Sequence, residues 1–147
     1  MDKIVLNAHR GFAYLALLLV AVFVFALLAA MLGYSGKINK LLRKSTLFTM
    51  IFFHVQFIAG LLMLFTSKGF QAILDSGNVM KNLMGDAYNR VTFIEHPTSM
   101  LIAAVLMTIV NKKVKTNDRL TTGIVIMSAI ALLLFFYAFP FARLFNK

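Results

Sequence analysis

The chain has 147 residues, of which 61% are hydrophobic, with 15 lysines and arginines against 5 acids and no cysteine. Soluble domains run nearer ~45–50% apolar, so the composition argues against an ordinary soluble fold. The missing thiol excludes disulfides, thiolate-held metals, iron–sulfur clusters and covalently attached haem.

The apolar excess gathers in four stretches, 12–34, 47–65, 91–110 and 120–141. Each is close to the ~20 residues that cross ~30 Å of hydrocarbon. The expectation is an all-α fold, an integral membrane four-helix up-down bundle. One membrane domain covers 1–147, with spans at about 8–34, 46–66, 89–110 and 120–141. The first stretch is too long and its positive charge too late for a signal peptide, so it reads as a retained span.

The net charge of +10 is unevenly placed. Loop 35–45 carries Lys37, Lys40, Arg43 and Lys44 with no acid, and loop 111–119 carries Lys112, Lys113, Lys115 and Arg119 against Asp118 alone. The longer loop 67–90 balances Lys68, Lys81 and Arg90 with Asp75 and Asp86. This is the positive-inside pattern. It predicts both short basic loops in the cytoplasm, with both termini and the long loop outside. The expected surroundings are membrane lipid, with no nucleic-acid partner.

In chain order, residues 1–11 begin the first helix at or above the outer interface. Its Ala26, Ala29, Ala30 and Gly33 have the small-residue spacing of packed membrane helices. Ser45 or Thr46 is placed to cap the second span, whose Ala59 and Gly60 offer close approach to a neighbour or a flat ligand. Within the outer loop, 69–74 and 79–84 read as short amphipathic helices separated by Ser76-Gly77-Asn78. Asp86 is the candidate cap of the third long helix. That helix must start before Pro97, because 97–110 alone spans only about 21 Å, and the proline should disturb it about a turn upstream. The fourth span has Ser128 as its one clearly polar residue, ends near Tyr137, and reads as a structural wall.

Three histidines lie in or beside three different spans: His9, His54 and His96. An ionisable side chain in hydrocarbon is costly and marks function by default, and imidazole is a common ligand of haem iron. Each has an ordinary explanation as well. His9 suits an interfacial ring, His54 a hydrogen-bonded link between helices, and His96 a residue bonded to Glu95 or to a carbonyl freed by Pro97. Counting ~1.5 Å per residue from the basic ends puts His54 about 15 Å, His96 about 23 Å and His9 about 39 Å deep. Depth therefore pairs His96 with His54 more readily than with His9. A porphyrin between two such rings would need small neighbours, for which Gly60, Ala59 and Gly11 are candidates. Its propionates would need cations such as Arg10 and Arg90. Gln56 and Glu95 are candidates to accept a ligating ring's other N–H.

These motifs carry a resemblance. His9-Arg10 opens span one, His54-x-Gln56-x-x-x-Gly60 lies in span two, Glu95-His96-Pro97-x-x-Met100 opens span three, and Phe139-Pro140-Phe141 ends span four. The chain resembles a family of small bacterial four-helix membrane proteins described as cytochrome b-like, over essentially its whole length. The pattern is also similar to one half of the haem A synthase core, although the chain has no counterpart of that core's second half or of its extracellular cysteine pair. The resemblance implies haem b, with His9 and His96 as the axial pair and His54 as the alternative to His9. It also implies single-electron transfer with a quinone or another redox subunit, in a bacterial cytoplasmic membrane. Two other readings stand beside it. One is a haem-free accessory or assembly subunit of a larger membrane complex. The other is a small transporter using Glu95, the one acid within a span segment.

Overall fold

The computed structural model describes residues 3–33 and 35–141; Tyr34, the last residue of the expected first span, lies outside them. The described residues are helical, with helices α1 (Lys3–Leu32), α2 (Lys40–Thr66), α3 (Lys68–Asp75), α4 (Val79–Gly85), α5 (Ala87–Thr116) and α6 (Thr122–Ala138). Helices α1, α2 and α5 are long and apolar enough to cross a membrane by length and composition. Helix α6, at 17 residues, measures about 26 Å.

The helices begin where local chemistry can satisfy their first N–H groups. Asn39, rather than Ser45 or Thr46, caps α2: its Oδ1 accepts from the Leu42 N–H at 2.9 Å. The helix therefore starts within the basic segment. Ser45 and Thr46 are buried inside it, and their hydroxyls bond back to the Leu42 carbonyl. Asp86 caps α5 as expected, accepting from Asn89 N–H at 2.8 Å, and Thr121 caps α6. Between α3 and α4 the chain turns through Gly77 at φ 71°, a conformation that costs glycine nothing.

Pro97 leaves its mark upstream. The segment Val91–Glu95 forms a π turn inside α5, with the His96 N–H reaching back to the Val91 carbonyl. Proline lacks an N–H and crowds the carbonyl four residues before it. Widening the preceding turn relieves that conflict without ending the helix.

Packing follows a seven-residue seam on every long helix. In α1 the buried set includes Ala13, Ala16, Val20, Phe23, Leu27 and Ala30; in α5 it includes Met100, Ala103, Met107, Val110 and Val114. Helix α2 contributes Leu42, Thr46, Thr49, Phe53 and Gln56, and α6 contributes Ile124, Ser128, Ala131, Phe135 and Ala138. Alternating steps of three and four keep one narrow stripe inward. Helix α1 packs on α2, α2 on α5, and α5 on α6. The outward faces are apolar as well: Leu18, Phe25, Ile58, Leu62 and Leu133 are all exposed. Helices that are apolar all round suit a lipid surrounding rather than water.

The two basic loops meet at one end of the molecule. Ile38 N–H donates to the Asp118 carbonyl at 2.8 Å, and Leu120 N–H donates to the Gly36 carbonyl at 2.7 Å. Arg43 reaches across from α2 to the C-terminal carbonyls of α5, donating to Val114 O at 2.5 Å, Lys115 O at 3.0 Å and Asn117 O at 3.1 Å. Those carbonyls have no partner within the helix, so one guanidinium closes the end of α5.

Candidate functional site

At the opposite end, all four long helices converge on one cavity of about 50 Å³. Helix α1 contributes His9, Arg10 and Ala13, α2 contributes Gln56, and α5 contributes His96 and Met100. Helix α6 supplies Phe135 and Ala138, and the chain just beyond it supplies Phe139 and Pro140. Phe135 forms the cavity's aromatic floor, and Phe53 stacks on that ring with centres 5.0 Å apart and planes 12° from parallel. Both are buried, so an apolar layer lies between the cavity and the polar residues Thr49 and Ser128 of the other half.

His9 and His96 face each other across this space, with ring centroids 6.3 Å apart and planes at 73°. Each ring is held by its surroundings. His96 Nδ1 lies 2.8 Å from the carbonyl of Ala138. A carbonyl can only accept, so Nδ1 carries the proton and Nε2 is the lone-pair nitrogen. His9 is held through its backbone, because Gln56 Nε2 donates to the His9 carbonyl at 3.1 Å. Its Nδ1 is buried without a hydrogen-bond partner, as is Gln56 Oε1. Unsatisfied polar atoms inside a core are costly, and two of them belong to residues that line this cavity. Gly60 lies against the tip of the His9 ring: a β-carbon there would lie 3.6 Å from His9 Cε1.

The neighbouring charged groups pair with one another. Arg90 Nε donates to Glu95 Oε1 at 2.9 Å, and the Tyr137 hydroxyl donates to Glu95 Oε2. Glu95 and His96 thus clasp consecutive residues of α6, Tyr137 and Ala138. Arg90 is committed to this cluster, whereas Arg10 lines the cavity. The expected role of Gln56 and Glu95 as acceptors for a ligating ring's N–H goes instead, at His96, to the Ala138 carbonyl.

His54 lies elsewhere. It is exposed, its Nδ1 is 2.8 Å from Met50 O, and its Nε2 is 3.3 Å from Thr108 Oγ1. It lines a separate groove between α2 and α5. The structure therefore brings together His9, His96, Arg10 and Gly60 of the sequence-predicted residues, and it sets His54 and Arg90 apart from them. Sequence reasoning missed the Ala138 carbonyl and the stacked Phe53–Phe135 pair. The seven-residue seam carries a signal for the second alone, because Phe53 and Phe135 both fall on it.

Among the described residues no group of three or more His, Cys, Asp or Glu side chains is gathered for a metal ion. Imidazole nitrogens bind metals at ~2 Å, so two rings on opposite sides of one ion have centroids about 6 Å apart. The separation of 6.3 Å fits that requirement. A cavity of about 50 Å³ takes an ion or one or two waters, since a water occupies ~30 Å³. A macrocycle does not fit that volume with the lining side chains where they stand. No protein-family model, curated protein or solved structure matches this chain.

Proposed function

We propose that the chain is a membrane-spanning four-helix up-down bundle that holds one haem b between His9 and His96. Its place is a bacterial cytoplasmic membrane, with the basic loops in the cytoplasm and both termini outside. The observation that carries this reading is the pair of facing imidazoles, 6.3 Å apart, at a cavity to which all four long helices contribute. The haem would supply one-electron chemistry, with a membrane quinone or a second redox subunit as partner.

The protein's part is to hold the ligands. The Ala138 carbonyl sets the tautomer of His96 and raises the basicity of its Nε2, as outer partners of metal-bound histidines do. Gln56 fixes the height of His9 against α2. Arg10 at the cavity mouth is the cation nearest to hand for a propionate. The Phe53–Phe135 layer keeps the site's polar side toward one end of the bundle and lowers the local dielectric, which tunes potential.

The test is the pyridine haemochrome of protein purified from haem-replete cells. The reading requires b-type haem at about one per chain by the two-ligand logic of such sites. A stable, colourless preparation would leave the histidines as hydrogen-bonding links in a haem-free accessory subunit. Uptake of a single bare metal ion, with no haem, would replace the macrocycle by an ion between the same rings.

A further inference from the structure

The end of the molecule opposite the histidine cavity carries charge that the proposed haem does not use. The apolar stretches 47–65 of α2 and 91–110 of α5 each fill ~30 Å of hydrocarbon. Both helices run further, α2 starting at Lys40 and α5 ending at Thr116. Their extra turns therefore stand at head-group depth, and a tilt of ~20° draws them in by only about 2–3 Å. Lys40 and Lys44 lie on the extra turns of α2, and Lys112, Lys113 and Lys115 on those of α5; all are exposed.

Arg43 joins these two sets of turns. Its guanidinium donates to the carbonyls of Val114, Lys115 and Asn117, so the lysines of both helices belong to one junction. Among the described residues no lysine takes part in an ion pair. The one acid of the two basic loops, Asp118, is fully exposed and 3.8 Å from Arg43. Helix C-termini favour cations, which accounts for the lysines of α5. It does not account for those of α2. That helix opens on Lys40, Arg43 and Lys44 with no acid in its first turn, at the end where the helix dipole repels cations. Lys40 and Lys44 also stand one turn apart, where like charges repel. A bound anion makes both effects favourable.

We propose that this junction binds the phosphodiester head group of an anionic phospholipid. The lysines stand on helix walls rather than at loop tips, at the depth of lipid phosphates. Each wall continues inward with an exposed apolar side chain one turn away, Phe48 after Lys44 and Ile109 before Lys113, at the level where an acyl chain begins. A free phosphate gains nothing from those two residues. A zwitterionic lipid brings its own cation, which the lysines repel. Lysines just outside the hydrocarbon attract anionic lipids in this way. The assignment rests on the membrane part of the proposed function and is independent of haem.

The test is native mass spectrometry of the full chain, released from micelles that hold equal amounts of phosphatidylglycerol and phosphatidylcholine with matched acyl chains. Phosphatidylglycerol should be retained over phosphatidylcholine by about tenfold or more. The double variant Lys40→Gln/Lys44→Gln should lower that ratio by about fivefold or more, and Lys40→Arg/Lys44→Arg should keep it. Lys68→Gln/Lys81→Gln removes the same charge from the outer loop and should leave the ratio unchanged. Circular dichroism checks that each variant is folded. Equal retention of the two lipids, or equal losses from the inner and outer glutamine variants, would overturn the proposal. So would binding of glycerophosphoglycerol or inorganic phosphate as tight as that of the lipid, which would make the occupant a soluble anion. A chain that retains neither lipid would overturn the membrane reading as well. A colourless protein that still selects phosphatidylglycerol would sink the haem reading and leave this assignment standing.

Discussion

Gly60 offers a graded test of the site's geometry. A β-carbon at this position would stand 3.6 Å from His9 Cε1, which is ordinary van der Waals contact, so Gly60→Ala should be accepted with the ring in place. Valine adds methyl carbons ~1.5 Å further out, and one pointed at the ring would come within about 2–3 Å of Cε1. His9 would then have to retreat by about 1 Å to restore contact. The rings are 6.3 Å apart, a separation with little slack for two bonds of ~2 Å, so that retreat should break or stretch one axial bond. The expected result is near-normal haem affinity for Gly60→Ala. For Gly60→Val, haem affinity should fall at least tenfold, about 1.4 kcal/mol, with a high-spin fraction in the spectrum. Haem titration of the purified apoproteins gives the affinities, and far-ultraviolet circular dichroism confirms that each variant is folded. A valine variant that binds haem like the parent, or an alanine variant that fails equally, would refute the argument that Gly60 makes room for His9.

Three other outcomes follow from the structure. Arg43→Lys keeps the charge but loses the fork that reaches three carbonyls at the end of α5; charge-assisted bonds contribute ~1.5–3 kcal/mol each when sheltered, and with the side chain one-third exposed the net loss should be about 2 kcal/mol. Thermal unfolding in detergent should show it, whereas Asp118→Asn should change little, because its carboxylate is fully exposed and 3.8 Å away. Phe53→Ala removes a buried ring stacked on Phe135 and should lower stability by about 3 kcal/mol, within the range of aromatic core truncations, as read by the same unfolding assay. Single cysteines at Lys40 and Ser76 should label from opposite sides of the membrane, and labelling of Lys40→Cys from outside intact cells would reverse the topology.

Much of the fold was legible because helix length and charge asymmetry survive without side-chain detail. Of the four spans expected, the three long apolar helices, together with the pairing of the basic loops at one end, were readable that way; turn and cap residues gave the break at Gly77 and the cap at Asp86. The start of α2 was not, because apolar content marks where hydrocarbon begins and not where the helix does; Asn39 supplies the cap several residues earlier, inside the basic segment. The site was legible in part. Counting residues gives height along a helix but not direction around it, so depth favoured His54 as the partner of His96. Direction was encoded in the seam: Phe53, Gln56 and Gly60 continue the inward stripe of α2, and His54 sits one residue off it. The Ala138 carbonyl had no sequence signal of its own, because any residue supplies a carbonyl. It is found only once α6 is seen to end beside His96.

The central claim is that His9 and His96, and not His54, hold one iron between them. It is tested most directly by the visible spectrum of the dithionite-reduced protein and of three single variants, His9→Ala, His96→Ala and His54→Ala. The account requires low-spin haem in the parent and in His54→Ala. It requires high-spin haem, or none, in the other two, since each loses one axial bond. A low-spin spectrum that survives His9→Ala but is lost in His54→Ala would contradict it.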